Sequence, residues 1–378
     1  MDRPEQRAAN EPTSLGERLA ALHRQLLADV PHVDRIGCAL YDPKDDLLKT
    51  FLHSTLAGEA LRSYEYKLSA SRSLLDLARR GGRRLLTDIP ADLEPHNAHS
   101  AWVIEEGYRT SLTIPMFGQG VFTGMLFFDS RRPNAFSGTE QRQLELFANL
   151  ISLLIAGELL SIRALAGSVD VARAFCDLRD FETGTHLERM SRYARLVAQE
   201  LAPDRGLTDE FVELVFLFAP LHDVGKIGIP DHILLRPGPL AGEDWETMKT
   251  HVDRGCAVID QMIADLALRD LPNVVLLRNI VEYHHEFLDG SGYPKGVRGD
   301  AIPLEARIVT VADVFDALTS PRPYKPAWPF AEAFAELDRM VAAGQLDAAV
   351  VAALHRRAAE ARAVQDRYRD DRTKPRRP

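Results

Sequence analysis

Between residues 182 and 313 the sequence sets down Glu182, His186, the pair His222-Asp223, His251, the pair His284-His285 and Asp313. Imidazole nitrogens and carboxylate oxygens with no cysteine among them suit iron, manganese or zinc better than magnesium, which prefers oxygen and water. Eight such side chains are too many for one ion. Lys226 follows Asp223 by three residues, close enough to put a positive charge where phosphate oxygens would rest beside bound metals. Taken singly each signal is weak, since a histidine on a helix is more often a core residue and Glu182 with His186 could mark a solvated helix face. Several such segments in one stretch favour ligands. The chemistry they suggest is metal-dependent and directed at a phosphorylated substrate.

Helices must position these groups. Glu182 and His186 are four residues apart in a stretch whose Met190, Tyr193, Ala194 and Val197 recur at helical steps, so the two share a face. His222-Asp223 closes an apolar run that reads as a buried helix, where a histidine and an aspartate are costly unless they bind something. The two oxygens of such an aspartate can bridge two ions. His251 falls on an amphipathic helix over 245–262, and His284-His285 end a helix over 279–286 just before the loop 287–296. Asp313 lies in an apolar helix over 306–320 and needs a cation or hydrogen-bond partners.

The 378 residues, 46% hydrophobic and 27% charged, suffice for two domains. A net charge of -9 argues against a nucleic acid polymer as partner, because binding a phosphate backbone needs a broad basic face. Cys38, Cys176 and Cys256 are isolated and odd in number, as expected of reduced structural thiols in a cytoplasmic protein. Residues 1–14 lack the apolar core of a signal peptide and read as a flexible leader. The apolar run 150–156 is far short of the ~20 residues that span a bilayer, so no membrane span is expected. Upstream of the histidines the order is a helix over 15–28, a hairpin 35–41 with 47–54, a helix 73–80, a loop, and a hairpin 110–117 with 121–129, an α+β layout. A connecting helix over 139–173 carries Leu144, Phe147, Leu150, Ile151, Leu154, Ile155, Leu159, Ile162 and Leu165 with few polar breaks. It predicts a homodimer through a parallel helix pair, with packing inside one chain as the alternative. The tail 357–378 alternates arginine with acid and has no apolar period, which predicts disorder.

Residues 15–160 resemble a GAF domain, a small ligand-sensing module, on SLLDLARRGGRRLLTDI, GYRTSLTIPMFGQGVFTGMLFF and DSRRPNAFSGTEQRQLELFA. The resemblance implies a pocket for an unidentified small molecule or a purely structural, dimerising module. Residues 171–356 resemble the HD superfamily of metal phosphohydrolases. HHEFLDGSGYP, HDVGK ending at Lys226 and RPYK from Arg322 to Lys325 narrow the likeness to its HD-GYP branch. The implied architecture is an α+β GAF domain followed by an all-α HD domain. The implied metal ligands are Glu182, His186, His222, Asp223, His251, His284, His285 and Asp313, holding two ions or, with Glu182, three, of iron or manganese. The implied activity is hydrolysis of cyclic di-GMP to linear pGpG, and on to GMP in some members. Two or three ions bridged by Asp223 would make a bridging water into hydroxide that attacks phosphorus in line. Lys226, Arg322 and Lys325 would neutralise phosphate, while Gly292-Tyr293-Pro294 shape the site or a partner surface. The alternatives are a silent cyclic di-GMP-binding or protein-interaction module, and a phosphodiesterase for another cyclic dinucleotide. A sensor joined by one helix to a catalytic domain further implies regulation.

Overall fold

The computed structural model describes residues 14–92, 98–177, 184–265, 273–321 and 327–369. They form two compact units, one ending at Leu160 and taking in Thr208–Glu210, the other made of Ser161–Leu207 and the chain from Phe211 onward. The expected leader lies almost wholly outside the described residues.

The first unit opens with α1 (Leu15–Leu26), which Ser14 and Glu17 start as a capping box. Its Leu15, Leu19, His23 and Leu26, at steps of three and four, are the buried face. Then come β1 (Arg35–Asp42), β2 (Leu47–Thr55), β3 (Glu65–Lys67), α2 (Arg72–Arg80), β4 (Arg84–Leu86), α3 (Ile89–Asp92), α4 (Ala98–Glu105), β5 (Thr110–Gly118) and β6 (Val121–Ser130). All pairings are antiparallel, in the order β3-β2-β1-β6-β5-β4. Both expected hairpins are present. Gln119 and Gly120, at φ of 50° and 79°, make the tight β5–β6 turn, whose left-handed pair matches the twist of the strands. The edge strands β3 and β4 are too short to leave an alternating pattern in the sequence.

Helix α5 (Gly138–Asp177) runs 40 residues. Leu144, Ala148, Ile151, Ile155 and Leu159 are buried, while Leu146, Leu150, Leu153 and Leu160 stand 51–71% exposed on another face. By length and composition its segment Gly138–Leu160 could cross a membrane, although a third of the segment's apolar window is buried, as in the core helix of a globular domain. The short apolar run at 150–156 understated this, because the apolar residues continue through single polar breaks.

The second unit is helical throughout its described residues. It comprises α6 (Gly184–Arg205), α7 (Asp209–Phe218), α8 (Asp231–Leu234), α9 (Glu243–Lys249), α10 (His251–Asp265), α11 (Val274–Tyr283), α12 (Leu304–Thr319), α13 (Phe330–Ala342), α14 (Ala348–Arg356) and α15 (Ala358–Arg367). Its core runs from Met190, Tyr193, Ala194 and Val197 of α6 through Val309, Ala312 and Phe315 of α12 to Val350 and Leu354 of α14. Three expectations need correction. The helix before His222 ends at Phe218, where the 3-10 turn Ala219–Leu221 begins around Pro220, a residue with no amide hydrogen to continue the ladder. The amphipathic stretch around His251 is two helices broken at Thr250, with His251 the first residue of α10. The tail is ordered over α15: Ala361 is buried, the Arg362 guanidinium lies 4.1 Å from the Phe330 ring centroid, and Gln365 Nε2 donates to Thr319 O at 2.7 Å. Charge alternation concealed a helix anchored by Ala358, Ala361 and Val364 on the core, by the Arg362 guanidinium and by the Gln365 amide.

Candidate metal centre

His222 and Asp223 stand in the turn between α7 and the 3-10 segment Val224–Gly228, and Gly225 of that segment sets how near α10 comes. A Cβ on Gly225 would lie 1.8 Å from the carbonyl oxygen of His251 and 2.4 Å from the amide of Gly255. Only glycine permits this approach, which brings His251 against Asp223. His284 caps the end of α11, and Thr310 Oγ1 of α12 lies 2.8 Å from its carbonyl oxygen.

Two groups of ligand-type atoms result, each lying within 4.8 Å of one another. One is Asp223, His251, His284 and His285; the other is His186, His222 and Asp313. Asp223 faces both. Its Oδ1 is 3.2 Å from His251 Nε2 and 3.7 Å from His284 Nε2, while its Oδ2 is 3.1 Å from His222 Nε2. Asp313 Oδ1 stands 3.7 Å from His186 Nε2 and 4.0 Å from His222 Nε2.

The ring tautomers follow from what lies behind each imidazole. His222 Nδ1 is 2.9 Å from Ala219 O, His251 Nδ1 is 2.7 Å from Met248 O, and His284 Nδ1 is 3.0 Å from Val281 O. A carbonyl oxygen only accepts, so each Nδ1 carries a hydrogen and each Nε2 turns inward, where a bound cation would take its lone pair. His186 Nδ1 instead meets Asp316 Oδ2 at 2.7 Å. His186, His222, His251 and His284 are buried, with 6%, 1%, 1% and 1% of their surface exposed.

Charge supports the same geometry. Burial raises the Asp223 carboxyl, but Lys226 and His222 outweigh it and hold Asp223 well below the usual carboxylate range. Burial lowers His222, and Asp223 and Asp313 overcome this to lift it to about 9. His285 is driven far down by burial and by His284. Lys226 Nζ sits 2.6 Å from Asp223 Oδ2. Lys226, Asp223 and the histidines therefore converge. Glu182, Arg322 and Lys325 lie outside the described residues.

These residues fit a metal. His222 Nε2 and Asp223 Oδ1 are buried without a hydrogen-bond partner although ligand-type atoms lie 3.1–3.2 Å away. Such atoms face a common centre, and a cation there would satisfy them.

Residues 13–156 match the GAF domain family and residues 181–350 the HD domain family. The chain carries a GAF domain followed by an HD domain. Over 174 residues it is 48% identical to the cyclic di-GMP phosphodiesterase response regulator RpfG of Xanthomonas campestris pv. campestris, covering 44% of this chain and 41% of that protein. A cyclic di-GMP phosphodiesterase of Thermotoga maritima is 40% identical over 172 residues, 46% of this chain and 44% of the other. The 3'3'-cGAMP-specific phosphodiesterase 2 of Vibrio cholerae is 40% identical over 152 residues, 40% of this chain and 27% of the other. The chain thus spans less than half the length of these curated relatives. Among solved structures, the GAF domain/HD domain protein from Geobacter sulfurreducens aligns at a TM-score of 0.32 and 18% identity, over 38% of this chain and 94% of that one.

Supporting residues of the HD domain escaped the sequence reading. Asp316 binds His186 through Oδ2 and receives Arg189 Nε at 2.6 Å on Oδ1. Asp316 follows Asp313 by three residues and Arg189 follows His186 by three, spacings that do not by themselves single out either residue. Glu286 is the other. Its buried Oε1 accepts from the amides of Lys295 and Gly296 at 2.7 and 3.0 Å, which folds the loop after α11 back on itself. There Tyr293 packs on His285 with centroids 4.6 Å apart, and a Cβ on Gly292 would meet His285 O at 2.4 Å. The Gly292-Tyr293-Pro294 triplet is thereby set as a wall of the site.

Proposed function

We propose that this protein is a metal-dependent phosphodiesterase that opens cyclic di-GMP to linear pGpG in the cytoplasm and is regulated by its GAF domain through a small ligand. The observation that carries the reading is the pair of ligand groups meeting at Asp223, whose two oxygens face His251 and His222 at 3.2 and 3.1 Å. The names of the HD-domain relatives support the substrate class. We assign His251, His284 and His285 to one ion, His186, His222 and Asp313 to a second, Asp223 to both, and Glu182 to a third. The mixed imidazole and carboxylate set favours iron or manganese.

Bound there, divalent ions supply Lewis acidity, making water acidic enough to yield a nucleophile near neutral pH and offsetting charge on phosphoryl oxygens. The chain's residues do the rest. Asp223 holds the two groups in register. Lys226, together with Arg322 and Lys325, brings positive charge to the phosphates, and Lys226 needs only to exchange its carboxylate partner for a phosphoryl oxygen. Tyr293 and Gly292-Pro294 wall the cleft beside His285. No protein nucleophile is required.

Turnover of cyclic di-GMP by metal-replete protein, with products separated by chromatography, tests this reading. Linear pGpG or GMP should appear with wild type and vanish with Asp223→Ala. Intact nucleotide at full metal occupancy refutes it. A second reading, preference for 3'3'-cGAMP, is favoured by the Vibrio cholerae relative of that name. Parallel rates on the two nucleotides decide between them.

A further inference from the structure

The sheet of the GAF domain floors a cavity whose charges do not balance. Cross-strand register puts Arg35 of β1 opposite Asp129 of β6 and Asp129 opposite Ser111 of β5. Two residues along the same face, Phe127 lies opposite Thr113, and Thr113 opposite Arg84 of β4. The Asp129 carboxylate is fully engaged, with Arg35 Nη1 donating to Oδ2 and Ser111 Oγ to Oδ1 at 2.7 Å. Arg84 has no such answer. Its Nη groups reach only the hydroxyls of Ser73 and Thr113, at 2.8 and 3.2 Å, and no carboxylate among the described residues pairs with it. Its Nε is buried without an acceptor, as is the Nε of Arg35, a residue only 3% exposed. Two guanidinium groups against one carboxylate leave a surplus positive charge, carried by a half-buried Arg84 whose water is only partly replaced by hydroxyls, and an anion in the cavity would meet it.

The remaining wall is aromatic. His99 stacks on Tyr64 with centroids 5.7 Å apart and tilts against Phe127 at 5.8 Å. Burial, reinforced by Arg35, lowers the His99 pKa to about 4, so it is an uncharged ring at neutral pH. The cavity measures about 110 Å³, less than the ~150 Å³ that encloses benzene in an engineered core, and it opens to solvent on one side, so a ring can seat against its wall without being wholly enclosed.

We propose that this cavity binds a small aromatic monocarboxylate, its carboxylate on Arg84 and its ring against Tyr64, His99 and Phe127. The proposal rests on reading the GAF domain as the sensory half and names the ligand class it senses. The full chain is titrated with benzoate, with benzamide as the neutral molecule of the same shape, and with inorganic phosphate, followed by ligand-observed NMR and by thermal unfolding. Benzoate binds saturably, raises Tm, and binds about tenfold or more tighter than benzamide, the difference expected of a charge-assisted pair. Arg84→Met, which keeps the reach of the side chain and removes its charge, weakens benzoate by a similar factor and leaves Tm without benzoate unchanged or higher. Arg84→Gln gives the same loss if the methionine variant fails to fold. Failure of benzoate to bind in the millimolar range, equal binding of benzamide, or displacement of benzoate by equimolar phosphate overturns the proposal. So does an Arg84→Met protein of lower Tm with benzoate affinity intact. None of these readouts depends on nucleotide turnover, so this proposal and the phosphodiesterase reading fail separately.

Discussion

Asp316 shows how one residue outside the ligand set governs the site. It is 1% exposed and receives His186 Nδ1 on one side and the Arg189 guanidinium on the other. Burial pushes its pKa up, but these donors outweigh that and keep it below the ordinary value. The charged carboxylate fixes the His186 tautomer with Nε2 toward Asp313. Replacing it with an amide that can present a hydrogen instead of an acceptor leaves that ring without a fixed direction. Asp316→Asn should therefore weaken metal affinity by about 10–100-fold, measured by metal titration of the stripped protein. A lower Tm with metal affinity unchanged would reduce Asp316 to a structural role. The candidate ligands stood out in the sequence because adjacent His-Asp and His-His pairs inside apolar runs are costly without a partner. Asp316 did not, since nothing local distinguishes it from Asp313 one turn earlier. Its partner His186 lies 130 residues away.

Among the elements, α5 carries the clearest unsatisfied face. Its residues Leu144, Ala148, Ile151, Ile155 and Leu159 are buried, whereas Leu146, Leu150, Leu153 and Leu160 are exposed. The exposed set advances by four, three and seven residues, the repeat of a two-stranded seam. Apolar composition had marked the whole helix, and only the fold separates the face already covered from the face still bare. We expect the protein to be a dimer in light scattering at micromolar concentration. The double variant Leu150→Glu with Leu153→Glu should be monomeric with its helical circular dichroism retained. A monomeric wild type would remove the expectation.

At the scale of the whole molecule the two units have separate cores, and the buried cluster of the HD domain draws on residues from Ile162 to Ala361. That core gives the HD domain the means to fold when residues 1–136 are removed. If the GAF domain regulates turnover, the truncated chain must differ from the full one in its rate or in its response to the GAF ligand, because an effector acts only through a difference between states. Identical rates and responses would end the regulatory reading while leaving the hydrolase intact.

The sequence by itself determined the parts with short memory. Helical periodicity, strand alternation, the Gln119-Gly120 turn and the metal-capable pairs are each written within a few residues, where sterics and local hydrogen bonding act. Tertiary structure decided what depends on distant segments meeting. It placed β6 beside β1, so that Arg35 faces Asp129 across 94 residues. It sorted the histidines into two groups by letting Gly225 touch α10, and it gave the charged residues of α15 a surface to lie on. Local pattern states which face of an element must be buried, while packing, through shape and the cost of unpaired charge, selects the partner that buries it.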